Sequence, residues 1–197
     1  MIKGLSAAIR REFSLQLRAR LPHFQRAEKE ILWTRDLKNG RDVKLGTMNF
    51  VNYCKISPDL YLFIDLQISS KSWENWFCVE LSWNTNPAIN TLHGNIEESL
   101  PSVWPPLMKA NRSAELQTKC RTKRFRLGTM SGDRVDGWNL LPPTLPEADA
   151  KIEDALRNLI PAIKDAMEKL CSRGVEWFRL VIELRGYDPN DDRLKPN

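Results

Sequence analysis

Two runs decide the fold: Leu60-Tyr61-Leu62-Phe63-Ile64-Asp65-Leu66-Gln67-Ile68 and, after a short break, Phe77-Cys78-Val79-Glu80-Leu81-Ser82-Trp83. In the first, Leu60, Leu62, Ile64, Leu66 and Ile68 recur at every second position; in the second, Phe77, Val79, Leu81 and Trp83 do the same. Successive side chains of an extended chain point to opposite sides, so each run reads as a strand with one apolar face. The intervening Ser69–Asn75 segment is polar apart from Trp73. Pairing Ile68 with Phe77 aligns both apolar faces in an antiparallel hairpin. That register sets Asp65 opposite Glu80, and Gln67 opposite Cys78, on the other face.

Upstream, Asn39-Gly40 is a hairpin signal, because a type I′ turn needs positive φ at both central residues. Its arms are expected at about 30–38 and 41–47, with a further strand over Met48 to Ile56. Residues 2–20 read as a helix, with Ile2, Leu5, Ile9, Phe13 and Leu17 along one face and Pro22 just beyond its end. The same segment is Arg-rich and amphipathic, as transit peptides are, but a core-packing helix is the preferred reading.

Downstream, Pro87, Pro101, Pro105 and Pro106 break up residues 84–118, leaving room for a short helix near 107–117. Lys119 to Leu127 reads as a strand. Gly128, Gly132 and Gly137, with Asp133 and Asp136, suggest a mobile loop. Thr144-Leu145-Pro146-Glu147 fits a capping box opening a long helix. Ile152, Leu156, Leu159, Ile160, Ile163, Met167 and Leu170 form its apolar stripe, and Pro161 is expected to kink or split it. Gly174 reads as its C-terminal stop. Val175 to Leu184 suits a last strand or a helical continuation.

The expected architecture is α+β: a mostly antiparallel sheet of about five or six strands, an N-terminal helix and a long, Pro-kinked C-terminal helix. One domain over 1–187 and a frayed polar tail over 188–197 complete it. The chain has 197 residues, 42% of them hydrophobic and 28% charged, enough for a single core. Collagenous, disulfide-scaffold and membrane-spanning classes are excluded, since no run approaches the length of an apolar transmembrane helix. A secretory leader is not evident, no CxxC pair occurs among the four cysteines, and the two histidines stand far apart. No metal site or cofactor is expected, and a cytoplasmic location with reduced cysteines is.

The net charge of +5 hides an uneven distribution. Residues 1–45 carry +6, 46–108 carry −4, 109–138 carry +5 and 139–197 carry −2. The densest basic stretch is Lys119, Arg121, Lys123, Arg124, Phe125 and Arg126. Cations on both faces demand an edge strand, an exposed arm or a ligand contact. Nucleic-acid or other anion binding is one reading, with Phe125 stacking on a base; edge protection is the other.

Asp65 and Glu80 form a facing carboxylate pair and are the only catalytic candidates. Like charges opposed across a sheet call for a cation or a proton between them. Pro58-Asp59 followed by Asp65-Leu66-Gln67 is similar to the Pro-Asp and acid-x-Lys pattern of restriction nucleases, which implies metal-dependent phosphodiester chemistry. It departs from that pattern in two respects: Gln67 replaces the lysine, and the two parts lie too close to occupy adjacent strands. The alternative is a solvated face where a basic residue of a neighbouring strand bridges the acids.

Seven tryptophans are present, and Trp73, Trp104 and Trp138 fall in expected loops, where they either anchor an interface or cap the core. No phosphate-binding glycine loop or nucleophile elbow occurs. The function expected is a non-catalytic, cytosolic accessory domain that binds a macromolecular partner, a protein first, through the basic strand and loop aromatics. A nucleic-acid-binding module at 119–126 is the alternative, and a metal-dependent nuclease-like enzyme the second.

Overall fold

The computed structural model describes residues 4–27, 33–36, 41–44, 49–68, 76–84, 124–127, 129–131, 134–141 and 152–197. Helix α1 (Leu5–Arg20) precedes the short strand β1 (Gln25–Arg26). Strands β2 (Trp33–Asp36) and β3 (Arg41–Lys44) follow, then β4 (Asn49–Ser57), β5 (Leu60–Ile68) and β6 (Trp76–Asn84). After them come β7 (Arg124–Leu127), β8 (Thr129–Ser131) and β9 (Arg134–Asn139). Helix α2 (Ile152–Lys169), a π-turn over Leu170–Gly174 and helix α3 (Val175–Leu184) close the fold, followed by a 3-10 turn at Asp192–Leu194.

The strands form a seven-stranded antiparallel sheet in the order β1-β4-β5-β6-β9-β8, with β7 also pairing β6. The α+β class and the antiparallel sheet are as expected. The β5–β6 register is too: Ile68 pairs with Phe77, Asp65 with Glu80 and Gln67 with Cys78. The period-2 pattern forces this outcome, because a one-residue slip would turn every apolar side chain to the wrong face.

Strands β2 and β3 pair separately, as the expected upstream hairpin. Asp36 opposes Arg41, however, whereas a two-residue turn centred on Asn39-Gly40 would set Lys38 there.

Rows of facing residues run across the sheet toward the helices. Cys54–Leu62–Trp83, Ile64–Leu81–Phe125 and Leu66–Val79–Leu127 are each buried within one core with Leu5, Ile9, Phe13 and Leu17 of α1. The first helix is thus a packing element. Ala155, Leu159, Ile163, Ala166 and Met167 supply the face of α2, and Leu170 continues it into the π-turn. This face is rotated from the expected stripe, leaving Leu156 and Ile160 exposed.

Pro161 lies inside α2 without ending it. The irregularity comes nine residues later, at the π-turn. Gly174 there is right-handed helical, with φ −69°, so it does not stop the helix. A Cβ on it would lie 2.9 Å from Leu170 Cδ1 and 3.0 Å from Leu81 Cδ1. Glycine brings the helix backbone close to the sheet, and α3 continues as a buried helix rather than a strand.

The segment expected to be a mobile loop contains β8 and β9. Gly137 is needed there because a Cβ would come 2.8 Å from the Phe77 carbonyl oxygen.

The C-terminal residues are docked, not frayed. Leu194 is fully buried, and Arg193 donates to the carbonyl oxygens of Lys55 at 2.5 Å and Ile56 at 2.8 Å, beside the β4 irregularity. Asn197 N–H bonds the Arg20 carbonyl at 3.0 Å, satisfying one of the carbonyls that the end of α1 leaves open. The expected capping box at 144–147 and the short helix near 107–117 lie outside the described residues.

Candidate functional site: a cationic cleft beside the first helix

The second face of the sheet carries the residues expected to be chemical. Its central row reads Val51, Asp65, Glu80 and Arg126 across β4, β5, β6 and β7. The next row reads Tyr53, Phe63, Ser82 and Arg124. Asp65 and Glu80 are 0% exposed, so this is not the solvated face expected. Gln67 Nε2 donates to Asp65 Oδ2 at 3.2 Å, and Cys78 Sγ donates to Gln67 Oε1 at 3.6 Å. A cationic strand residue stands in register beside the acid pair, the arrangement that opposes like-charge repulsion across a ladder.

Among the described residues, no group of three or more His, Cys, Asp or Glu side chains is arranged to hold a metal ion. Asp59, the other acid of the nuclease-like pattern, sits in the β4–β5 turn. It accepts hydrogen bonds from Tyr187 and, at 2.7 Å, from Ser57. Those two bonds hold its carboxyl below the usual value.

Strand β7 is the described part of the basic segment; Lys119, Arg121 and Lys123 lie outside the described residues. No described strand lies on its far side, as an edge position requires. Phe125 is not available to stack on a base. It is 1% exposed and stacks on Trp177, with ring centroids 5.8 Å apart. Phe125 and Leu127, two residues apart on the strand, both face the core.

Trp138 is likewise internal. It belongs to β9, stacks on Phe77 at 5.2 Å and donates from Nε1 to Asp165 Oδ2 at 2.6 Å. Burial tends to raise the Asp165 pKa, but hydrogen bonds from Lys169 and Trp138 outweigh it and leave the carboxyl below its usual value. Trp73 and Trp104 lie outside the described residues.

Two clefts flank β1. One, of about 440 Å³, includes Cys54, Tyr61 and Arg193 in its lining. Its arginine is committed, since Arg193 bonds Asp191 and the β4 carbonyls, and burial pushes the Cys54 thiol up to about 11. A thiol so rarely ionised is a poor nucleophile.

The other cleft, of about 540 Å³, opens between the second half of α1, β1 and β4. Arg18, Arg26, Asn52 and Ser14 supply its polar lining, and Phe24 and Phe50 part of its apolar wall. The Arg26 guanidinium carbon lies 3.4 Å from the Phe50 ring centroid. Partial burial and repulsion from Arg10 pull the Arg26 pKa below its ordinary value, with Asp65 acting in the opposite sense. Neither Arg18 nor Arg26 forms an ion pair with a described residue.

Asn52 lines this cleft while only 5% exposed, and its Nδ2 has no hydrogen-bond partner among the described residues. Sequence reasoning passed over it, although a signal was there. Phe50, Asn52, Cys54 and Ile56 alternate toward the core, and the amide is the one strongly polar member of that face.

Comparison with protein-family models, with curated proteins and with solved structures finds no match to this chain.

Proposed function

We propose that this chain is a non-catalytic interaction domain that engages an acidic surface of a partner protein through the cationic side of α1 and β1. The observation that carries this reading is the pair Arg18 and Arg26 on one open cleft, neither joined to a described acid. Exposed Arg11 stands one heptad before Arg18, on the same side of the helix, and extends the patch. Guanidiniums outside ion pairs attract acidic partners and steer their approach.

Nucleic-acid binding through 119–126 loses the stacking ring expected of Phe125, which favours a protein partner. Catalysis at Asp65 and Glu80 is not favoured, since both carboxylates are fully buried. A cytoplasmic setting suits Cys54 and Cys171, which are thiols rather than disulfides.

Fluorescence anisotropy with labelled polyglutamate, and separately with a single-stranded oligonucleotide, tests the proposal. Polyglutamate binding is expected at low salt, to weaken about tenfold in Arg11→Gln/Arg18→Gln, and to vanish near ~0.5 M salt. Binding that ignores the double substitution overturns the assignment. An oligonucleotide that binds tighter at matched salt transfers the function to the nucleic-acid reading.

A further inference from the structure

We propose that the α1–β1–β4 cleft is a specific site for a phosphate monoester borne on an apolar or aromatic group. The inference rests on reading the domain as an anion binder and names the chemistry that its cleft selects. Three features converge.

The first is charge. Arg18 and Arg26 line one cavity without an ion pair to a described acid; Arg10 repels Arg26, and Asp65 offsets part of that repulsion. Two cations match a ligand of charge near ~−2, which a phosphate monoester carries at neutral pH and a carboxylate does not. The Arg26 guanidinium rests over Phe50, which orients it and leaves its N–H edge for paired oxygens.

The second is Asn52. It borders the cavity and is 5% exposed, and its amide nitrogen, itself closed to solvent, meets no described acceptor. A buried donor of this kind is ordinarily satisfied, and a rotation of the amide toward the cleft brings it to a ligand oxygen. Being neutral, Asn52 donates to an anion of any protonation state, while the arginines select for charge.

The third is shape. A cavity of about 540 Å³ exceeds what inorganic phosphate fills and lies in the range of small-molecule sites. Phe50, Pro22 and the edges of the largely buried Leu17 and Phe24 supply apolar lining for the group that carries the phosphate.

The same chemistry arises from a free phosphorylated metabolite or from a phosphorylated side chain of the partner protein. Calorimetry and NMR shift titration with phenyl phosphate test the site itself, with benzoate and inorganic phosphate as comparisons. Adenosine monophosphate and a phosphotyrosine peptide then separate the two sources.

Phenyl phosphate is expected to bind at least about tenfold tighter than benzoate. Arg26→Gln and Asn52→Ala should each weaken it about tenfold, and Arg157→Gln, on the surface of α2, should not. Arg26 is exposed, so its substitution tests the site even if Asn52→Ala misfolds.

No saturable phenyl phosphate binding up to ~10 mM, or binding indifferent to Arg26→Gln, overturns the inference. Polyglutamate binding that survives Asn52→Ala while phenyl phosphate binding falls separates the two proposals. Loss of phosphate binding alone leaves the interaction domain standing, and loss of polyglutamate binding alone leaves the phosphate site.

Discussion

Gly137 and Gly174 show how a single hydrogen in place of a side chain sets where elements lie. At Gly137 the obstacle to a Cβ is a carbonyl oxygen of β6, which moves only if the sheet moves. At Gly174 the nearest atoms are leucine methyl groups, which can rotate a few tenths of an ångström. Gly137→Ala is therefore expected to destabilise by about 2–3 kcal/mol, and Gly174→Ala by about 1 kcal/mol or less. Chemical denaturation of both variants checks the order; a larger loss at Gly174 would show that the helix–sheet contact is the stiffer one. Asp65 poses a different problem, that of two buried acids in register. Asp65→Asn keeps an acceptor for Gln67 and removes one of the facing charges. The expected outcome is an unchanged or higher denaturation midpoint. A loss of about 2 kcal/mol or more would mean that the Asp65 carboxylate is needed in the sheet, as its coupling to Arg26 would explain.

At the scale of elements, the C-terminal segment is a clasp rather than a tail. Arg193 ties it to the β4 irregularity, Leu194 anchors it in the core, and Asn197 closes on the end of α1. The Arg193 hydrogen bond holds the Asp191 carboxyl below its usual value, partly offset by burial. A carboxylate whose folded pKa lies below its unfolded one adds stability above the unfolded value, near ~3.9. That stability is lost as pH falls through the folded value. Arg193→Ala should therefore destabilise the protein at pH 7 by about 1–3 kcal/mol and shrink the part of the acid-unfolding limb below pH ~4. Thermal melts from pH 7 down to pH ~2.5 check both effects. A variant curve that parallels the native one would show that Asp191 titrates independently of the clasp. Little of this was legible in the residues, because Asp188 to Asn197 has one apolar side chain of any size beyond proline, and polarity reads as fraying. The β5–β6 hairpin was legible to the residue, because nine-residue strands with strict alternation leave one register that buries both faces. The path through Pro161 and Gly174 was not. Both residues disfavour a helix locally, and contacts with the sheet, visible only in three dimensions, decide otherwise.

For the whole molecule the question is where the two basic blocks go. Strand β7 carries the described part of the second block to β6, where Arg126 is in register with Glu80. Of the first block, Arg10, Arg18 and Arg26 gather at or near one cleft. Composition along the chain revealed the blocks but not this division, because strand pairing, not sequence distance, sets which charges are neighbours. Asn52 was hidden for a related reason: its strand reads as ordinary until its facing residues are known to be core. The division has a thermodynamic consequence. A ligand that binds the folded cleft and not the unfolded chain stabilises by RT ln(1 + [L]/Kd), and screening alone relieves only the repulsion between the arginines. Phosphate also stabilises proteins in general, by exclusion from their surface. The native protein should consequently gain more in Tm from phenyl phosphate than from sodium chloride at equal ionic strength. At ~100 Kd the gain corresponds to about 2.7 kcal/mol, a few degrees in a domain of this size. Arg26→Gln should erase the difference between the two salts while keeping the generic response to inorganic phosphate. Differential scanning calorimetry of both proteins reads this directly, and an equal excess in the variant would place the stabilising anion elsewhere on the molecule.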